Sequence, residues 1–310
     1  MTSTRLPTFL IIGAARSGST TLFDCLRQHP EVYMSPIKEP HFFSYEGDPL
    51  PDSGPGARPS DWVTDFDRYL DLFARTEPGM AAGEASVSYL YRPATAERIF
   101  RRLPHVKLIA ILRNPVERAY SAFSYLRERG SEPLSDFAEA LAAEDARVRE
   151  NWTHIWHYKG MGFYGEQLAR YFRRFDREQI HVLTLDDFVE DPARQMAAVY
   201  AHVGVDPTFV PKTSIVHNVT GEPRWPVLGP LLTPNRVTRR LRPAVVATMG
   251  PVVRRVKQRA VVKPEVPSAA ARALADGYRV DVESLSELLV RDLTSWIAAY
   301  DGSARATISA

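Results

Sequence analysis

Apolar positions along the chain fall into two kinds of pattern. Short continuous runs at 9–12, about 80–83, 106–112 and 180–185 read as strands of a parallel sheet covered on both faces. Between them lie stretches with helical spacing. One covers 20–28, directly after the first strand, and another covers 115–129 with Pro115 in its first turn. Further helices are expected at 135–149, at 165–175 and from Asp191-Pro192 to about 202. A last one, 269–300, carries Leu274, Tyr278, Val282 and Leu285 on one packed stripe. Strands alternating with helices predict an α/β fold, a doubly wound parallel sheet flanked by helices, with ligands beyond the carboxyl ends of its strands.

Two stretches depart from this alternation. Residues 46–60 are dense in Pro, Gly, Asp and Ser and read as a surface loop, within a variable region extending to about 75. Residues 224–263 are rich in Lys and Arg and contain no Asp or Glu. That segment reads either as a solvated basic stretch over the core or as a flap attracting an acidic acceptor or a membrane surface. The rest of the 310 residues, 45% of them apolar, suits a single domain over 1–310.

Composition narrows the function classes. A formal charge of +2 argues against a dedicated nucleic-acid binder. Cys25 is the single cysteine, so no intramolecular disulfide forms. The apolar run near the N-terminus is too short to span a bilayer and lacks a secretory cleavage pattern, which predicts a cytoplasmic protein.

The chemistry begins where the first strand ends, at Gly13-Ala-Ala-Arg16-Ser17-Gly18-Ser19-Thr20. A strand, a glycine turn and a helix N-terminus together present free N–H groups and a positive dipole end to an anion. The spacing mimics G-x-x-x-x-G-K-[ST], the loop whose lysine reaches the outer phosphates of ATP. Ser19 stands at the lysine position, and the positive charge comes earlier, at Arg16. A kinase would also need an acidic magnesium ligand at the end of another strand. The strand at 107–112 ends instead in Arg113-Asn114-Pro115, and a guanidinium there suits a phosphate monoester. Ser121, about two helical turns on, joins that clamp if the strand-to-helix corner folds back. The two anion pockets come without an evident metal ligand, and a donor with phosphates at both ends of its ribose fits them.

These runs resemble the sulfotransferase family that uses 3′-phosphoadenosine 5′-phosphosulfate, above all its heparan-sulfate-type and bacterial branches. The resemblance implies the sulfotransferase fold, with Arg16, Ser17, Gly18, Ser19 and Thr20 on the 5′-phosphosulfate and Arg113 with Ser121 on the 3′-phosphate. Three further runs fit in order and spacing: Lys38-Glu-Pro-His-Phe-Phe43, Gly83-Glu-Ala-Ser-Val-Ser-Tyr-Leu90 and Gly162-Phe-Tyr-Gly-Glu-Gln-Leu168. It also implies that Glu39 is the base that takes the acceptor's proton. In an extended segment Glu39 and His41 share a face, so His41 orients the acceptor or shares the proton. Arg16 stands where the family usually has lysine. An arginine stabilises the departing phosphate but does not readily donate a proton.

Ala85 replaces a lysine that touches the sugar in several heparan-type enzymes, which argues against a heparan-like polyanion as acceptor. Glu84 and Ser88 are expected either to line the acceptor side or to end a strand with satisfied hydrogen bonds. Arg224, in a run resembling the family's late closing loop, is the candidate third charge on the 3′-phosphate. The stretch Trp152, Trp156 and Tyr158 reads as core packing or an acceptor wall, and His154 and His157 lack zinc-site companions. The acceptor expected is a small molecule, a glycoside or a lipid. The alternatives are a P-loop small-metabolite kinase and a non-catalytic nucleotide- or membrane-binding protein.

Overall fold

A computed structural model describes residues 6–55, 62–212 and 266–301, together with the backbone of 222–223 and 261–262. Its centre is a five-stranded sheet: β1 (Phe9–Gly13), β2 (Val32–Met34), β3 (Ala81–Ala85), β4 (Lys107–Leu112) and β5 (Ile180–Thr184). The strands run in the order β2-β3-β1-β4-β5, and every pairing is parallel. The expected α/β fold with a parallel sheet between helices is therefore the observed one. β2 was not among the expected strands. It is a three-residue edge strand, too short to stand out as an apolar run.

Every residue of β1 is buried, and its alternate side chains go to opposite faces. Leu10 and Ile12 join Leu108, Ala110 and Leu112 in one core, whereas Phe9 and Ile11 join Ile109 and Ile111 in another. That two-sided burial explains why these strands lack polar alternation. It also fixes the carboxyl ends of β1, β3 and β4 side by side.

Helices start there for local reasons. Gly18, at φ 102, makes the left-handed step into α1 (Ser19–Leu26), a conformation that side chains with a Cβ rarely adopt. Asn114 caps the helix after β4, Pro115–Glu128, by accepting from the amides of Val116 and Glu117. Pro115 occupies its first turn, where a missing N–H costs nothing.

Two expected helices are broken. The stretch 135–149 forms two short helices, Phe137–Ala142 and Glu144–Arg149, and Glu144 turns inward to accept from the amides of Lys159 and Gly160. The stretch 269–300 forms a long helix, Ser268–Leu289, that stops at Val290 in a left-handed conformation, followed by Ser295–Ala298. The variable region to about 75 is not all loop, since Phe66–Asp71 is helical and capped by Asp65.

The long helix is tied into the fold by Asp281, whose carboxylate accepts from the amides of Gly165 and Glu166 at 2.9 Å each. A Cβ on Gly165 would lie 2.5 Å from the Asp281 carbonyl oxygen, so glycine is required for the approach. Among the described residues no helix is long and apolar enough to cross a membrane. Arg224 and all but residues 261–262 of the basic segment 224–263 lie outside the described residues.

Candidate active site

A cavity of about 510 Å³ opens beyond the carboxyl ends of the central strands. One wall is the turn after β1, with Arg16, Gly18, Ser19, Thr20 and Thr21. Ser17 is fully buried beneath it and is not among the lining residues. The second wall comes from the end of β4 and the following helix, as Arg113, Ser121 and Tyr125. The third comes from Lys38, Glu39, Val87, His154 and Ile155, and the rim is apolar at Leu185, Phe188, Val189 and Pro192.

Ser121 meets the glycine turn, and it lines the same cavity as Arg113. Arg16 Nε donates to the Ser121 hydroxyl at 3.3 Å, across 105 residues of sequence. The Arg16 guanidinium also lies 4.3 Å from the centre of the Tyr125 ring, one helical turn beyond Ser121. Arg129 lies at the same 4.3 Å from that ring. Burial pulls the Arg16 pKa down to about 10, opposed by Tyr125 and assisted by the neighbouring charge of Arg113. Arg16 therefore stays a cation at neutral pH.

Arg113 sits between the two walls. Its Nε and Nη2 both donate to Glu117, at 3.1 and 2.9 Å, and its Nη1 reaches the Arg16 carbonyl at 3.5 Å. The guanidinium is thus held in place from two sides. An anion arriving there must share it with Glu117.

The Lys38–His41 segment is not extended. Glu39 and His41 have φ values of 63 and 57, and the Glu39 amide donates to the Ala85 carbonyl. The shared face expected from strand geometry is produced instead by two left-handed residues, which curl the segment over the end of β3. Lys38 Nζ pairs with Glu39 Oε1 at 2.5 Å, and His41 Nε2 lies 3.4 Å from Glu39 Oε2. His41 itself is buried, and burial drives its pKa down to about 3, so the ring is neutral. Its Nδ1 meets Ser88 Oγ at 2.6 Å, and Ser88 meets Ser44 Oγ at 2.7 Å. With the His41 hydrogen on Nε2, facing the carboxylate, Ser88 donates to Nδ1 and Ser44 donates to Ser88.

Of the two readings of Glu84 and Ser88, this network favours the strand end over the acceptor side, which corrects their place as acceptor contacts. Glu84 and Ser88 are fully buried and do not line the cavity. Glu84 accepts from Ser86 Oγ at 2.9 Å and from Tyr69 at 3.3 Å, and Ser86 Oγ in turn accepts from the His41 amide at 3.0 Å. Burial raises the Glu84 pKa to about 7 despite those hydrogen bonds. Both residues support the Glu39–His41 turn from behind, as strand-end residues with satisfied partners.

The sequence reading missed Lys38, Tyr125, His154 and the apolar rim. Lys38 and Tyr125 carried a signal, one adjacent to Glu39 and the other four residues from Ser121. His154 carried none, because its neighbours are distant in sequence. Its Nδ1 meets the Tyr45 hydroxyl at 3.1 Å, and its ring lies 5.2 Å from His41 and stacks against Trp62 at 6.2 Å. Trp156 and Tyr158 pack in the core, as the first of their two readings held.

Comparison with known proteins bears on this geometry. Residues 7–209 match the profile described as the sulfotransferase family. A solved sulfotransferase from Alicyclobacillus acidocaldarius is 32% identical, with a TM-score of 0.72 over 94% of this chain and 99% of that one. The human heparan sulfate glucosamine 3-O-sulfotransferase 3B1 is 28% identical over 71% of this chain. The membrane-associated sulfotransferase kil1 of Dictyostelium discoideum is 33% identical over 47% of it. The chain spans 52% and 29% of the lengths of those two relatives.

Proposed function

The chain belongs to the sulfotransferase family, and from that premise we propose that it transfers a sulfuryl group from 3′-phosphoadenosine 5′-phosphosulfate to a hydroxyl or amine of a small-molecule, glycoside or lipid acceptor. The observation that carries the reading is one cavity lined by the glycine turn, by two arginines from different strand ends and by a partly exposed carboxylate. The donor supplies the sulfuryl group and a phosphate leaving group. The chain's own residues do the rest.

Amides at the start of α1 and the hydroxyls of Ser19 and Thr20 hold the 5′ end. Arg16, fixed on Tyr125 and Ser121, sets a positive charge against the negative charge that develops on the leaving oxygen. Arg113 and Ser121 hold the 3′-phosphate. Glu39 takes the acceptor's proton, and Lys38 and His41 keep its carboxylate turned toward the cavity. Arg224 as a third contact to the 3′-phosphate belongs to this proposal on the resemblance alone.

The test is thermal stabilisation by adenosine 3′,5′-bisphosphate, compared with ATP plus magnesium and with anionic vesicles. A ligand that binds only the folded state at a hundredfold excess over its Kd adds about 2.7 kcal/mol. Selective stabilisation by the bisphosphate is the expected result. A response to ATP plus magnesium alone would favour the kinase alternative, and a response to vesicles alone the membrane-binding one.

A further inference from the structure

His154 belongs to no motif, yet it forms part of the cavity wall that carries Glu39. It is held by Tyr45, from the helix Phe42–Tyr45, and by the rings of Trp62 and His41. The Tyr45 side chain is buried, and the only hydrogen-bond partner of its hydroxyl among the described residues is His154 Nδ1. A buried phenol proton without an acceptor is costly, so the hydroxyl donates to Nδ1. The hydrogen of the neutral ring then sits on Nε2, which has no partner among the described residues. Burial holds the ring neutral, helped by His41, His157 and Arg92 and opposed by Glu39. The wall therefore contains an acceptor, the Glu39 carboxylate, and the His154 ring, whose Nε2–H is left without a partner among the described residues.

The two kinds of nucleophile satisfy that pair differently. A hydroxyl oxygen has one proton and two lone pairs. Its proton goes to Glu39, one lone pair attacks sulfur, and the second accepts from His154. An amine nitrogen has a single lone pair, which the reaction consumes, so the His154 N–H is left facing hydrogens. A protonated amine would in addition meet Lys38 and Arg16.

Resting on the reading above, we propose that His154 makes this an O-sulfating site, with its Nε2–H donating to the acceptor oxygen. In that step the acceptor oxygen bonds to sulfur as the bond from sulfur to the bridging oxygen breaks. The electron pair leaves with the phosphate, and the acceptor proton ends on Glu39.

Two measurements test this. Nitrogen-15 spectra of histidine-labelled protein report the tautomer without any substrate. The expected signal for His154 is a neutral Nε2–H imidazole at pH 7 that loses its single tautomer in Tyr45→Phe. A ring with its hydrogen on Nδ1, or an imidazolium, overturns the inference.

The second measurement offers a labelled sulfate donor to alcohols paired with their amine analogues, such as 2-phenylethanol and 2-phenylethylamine. Sulfate esters are expected, and sulfamate formed at an equal or greater rate overturns the inference. His154→Phe should lower kcat/KM for the alcohol about 10- to 100-fold, the worth of a hydrogen bond between 1.5 and 3 kcal/mol. His154→Gln, which keeps an N–H donor, should recover part of that loss. Stabilisation by adenosine 3′,5′-bisphosphate should persist in both variants and shows that they fold. Unchanged alcohol turnover in His154→Phe counts against the proposal. Failure of the wild-type protein to respond to the bisphosphate would instead remove the donor reading and leave the tautomer assignment standing.

Discussion

On the proposed reading the cavity has a donor wall and an acceptor wall, and the two are built on opposite principles. The donor wall is cationic and rests on regular structure: a helix start after β1, and Arg113 and Ser121 at the end of β4 and along the helix behind it. The acceptor wall is built from turns and from groups that burial keeps neutral. His41 and His154 are both driven toward the uncharged form, and two serines and a tyrosine set their orientation. A fixed positive field suits a donor whose charge is always present. Neutral, directional hydrogen bonds suit an acceptor whose proton must leave at one moment and in one direction.

The largest effect should come from Glu39, the one carboxylate among the described residues that lines the cavity. Glu39→Gln should lower kcat about 10²- to 10⁴-fold, the usual contribution of a positioned general base. Stabilisation by adenosine 3′,5′-bisphosphate should be nearly unchanged. If the bisphosphate no longer stabilised that variant, the division between the walls would be wrong.

Arg113→Ala should do the reverse. Loss of charge-assisted hydrogen bonds worth about 1.5–3 kcal/mol weakens bisphosphate binding roughly 10- to 100-fold, measurable by calorimetry. The pH profile of turnover at saturating donor should stay where it is.

A smaller effect is expected one layer back, at Tyr125. Tyr125→Leu removes the ring beneath Arg16, an interaction worth about 0.5–2 kcal/mol, so donor affinity should fall from a few-fold to about thirtyfold. Tyr125→Phe should retain most of it, because the contact is with the ring.

The smallest expected effect is on stability against pH, where substitutions single out the acceptor wall. His41 has its folded pKa lowered from 6.5 to about 3, so its contribution is fully present above 6.5 and is lost as pH falls through that window. Glu84, raised from 4.5 to about 7, acts in the opposite sense: its burial is tolerated best below 4.5 and becomes more costly as pH rises toward 7. His154, His157, His181 and His202 are lowered as His41 is, and Glu144 and Asp281 are raised as Glu84 is, so five histidines stand against three carboxyls. Melting temperature should therefore drop by a few degrees between pH 6.5 and 5. Glu84→Gln should steepen that drop, and His41→Asn should flatten it. A steeper drop in His41→Asn would contradict the assignment.

The same contrast explains what the sequence could reveal. The donor wall is written in two contiguous runs, 13–20 and 113–121, because a strand end and the helix behind it are consecutive in the chain. The acceptor wall joins Glu39 and His41 to Tyr45, Trp62, Ser88 and His154, and no spacing rule links residues so far apart. Only the Glu39–His41 pair was visible, and its backbone was misread because two left-handed non-glycine residues leave no mark in a hydrophobic pattern. For Glu84 and Ser88 two depths stayed open, since a short polar run after an apolar strand does not say which side chains turn inward. The edge strand β2 and the break at 143 were lost for a related reason, being set by tertiary contacts.

The bond between Arg16 and Ser121 also has a consequence in time. A chain made from its N-terminus completes the glycine turn early, whereas its partner arrives 105 residues later, with β4 and the helix that follows. Because β4 pairs directly with β1, the two anion-binding groups meet only when that strand docks. Nucleotide affinity should therefore switch on late and abruptly during synthesis. A half-made chain would then carry the glycine turn without capturing the proposed donor.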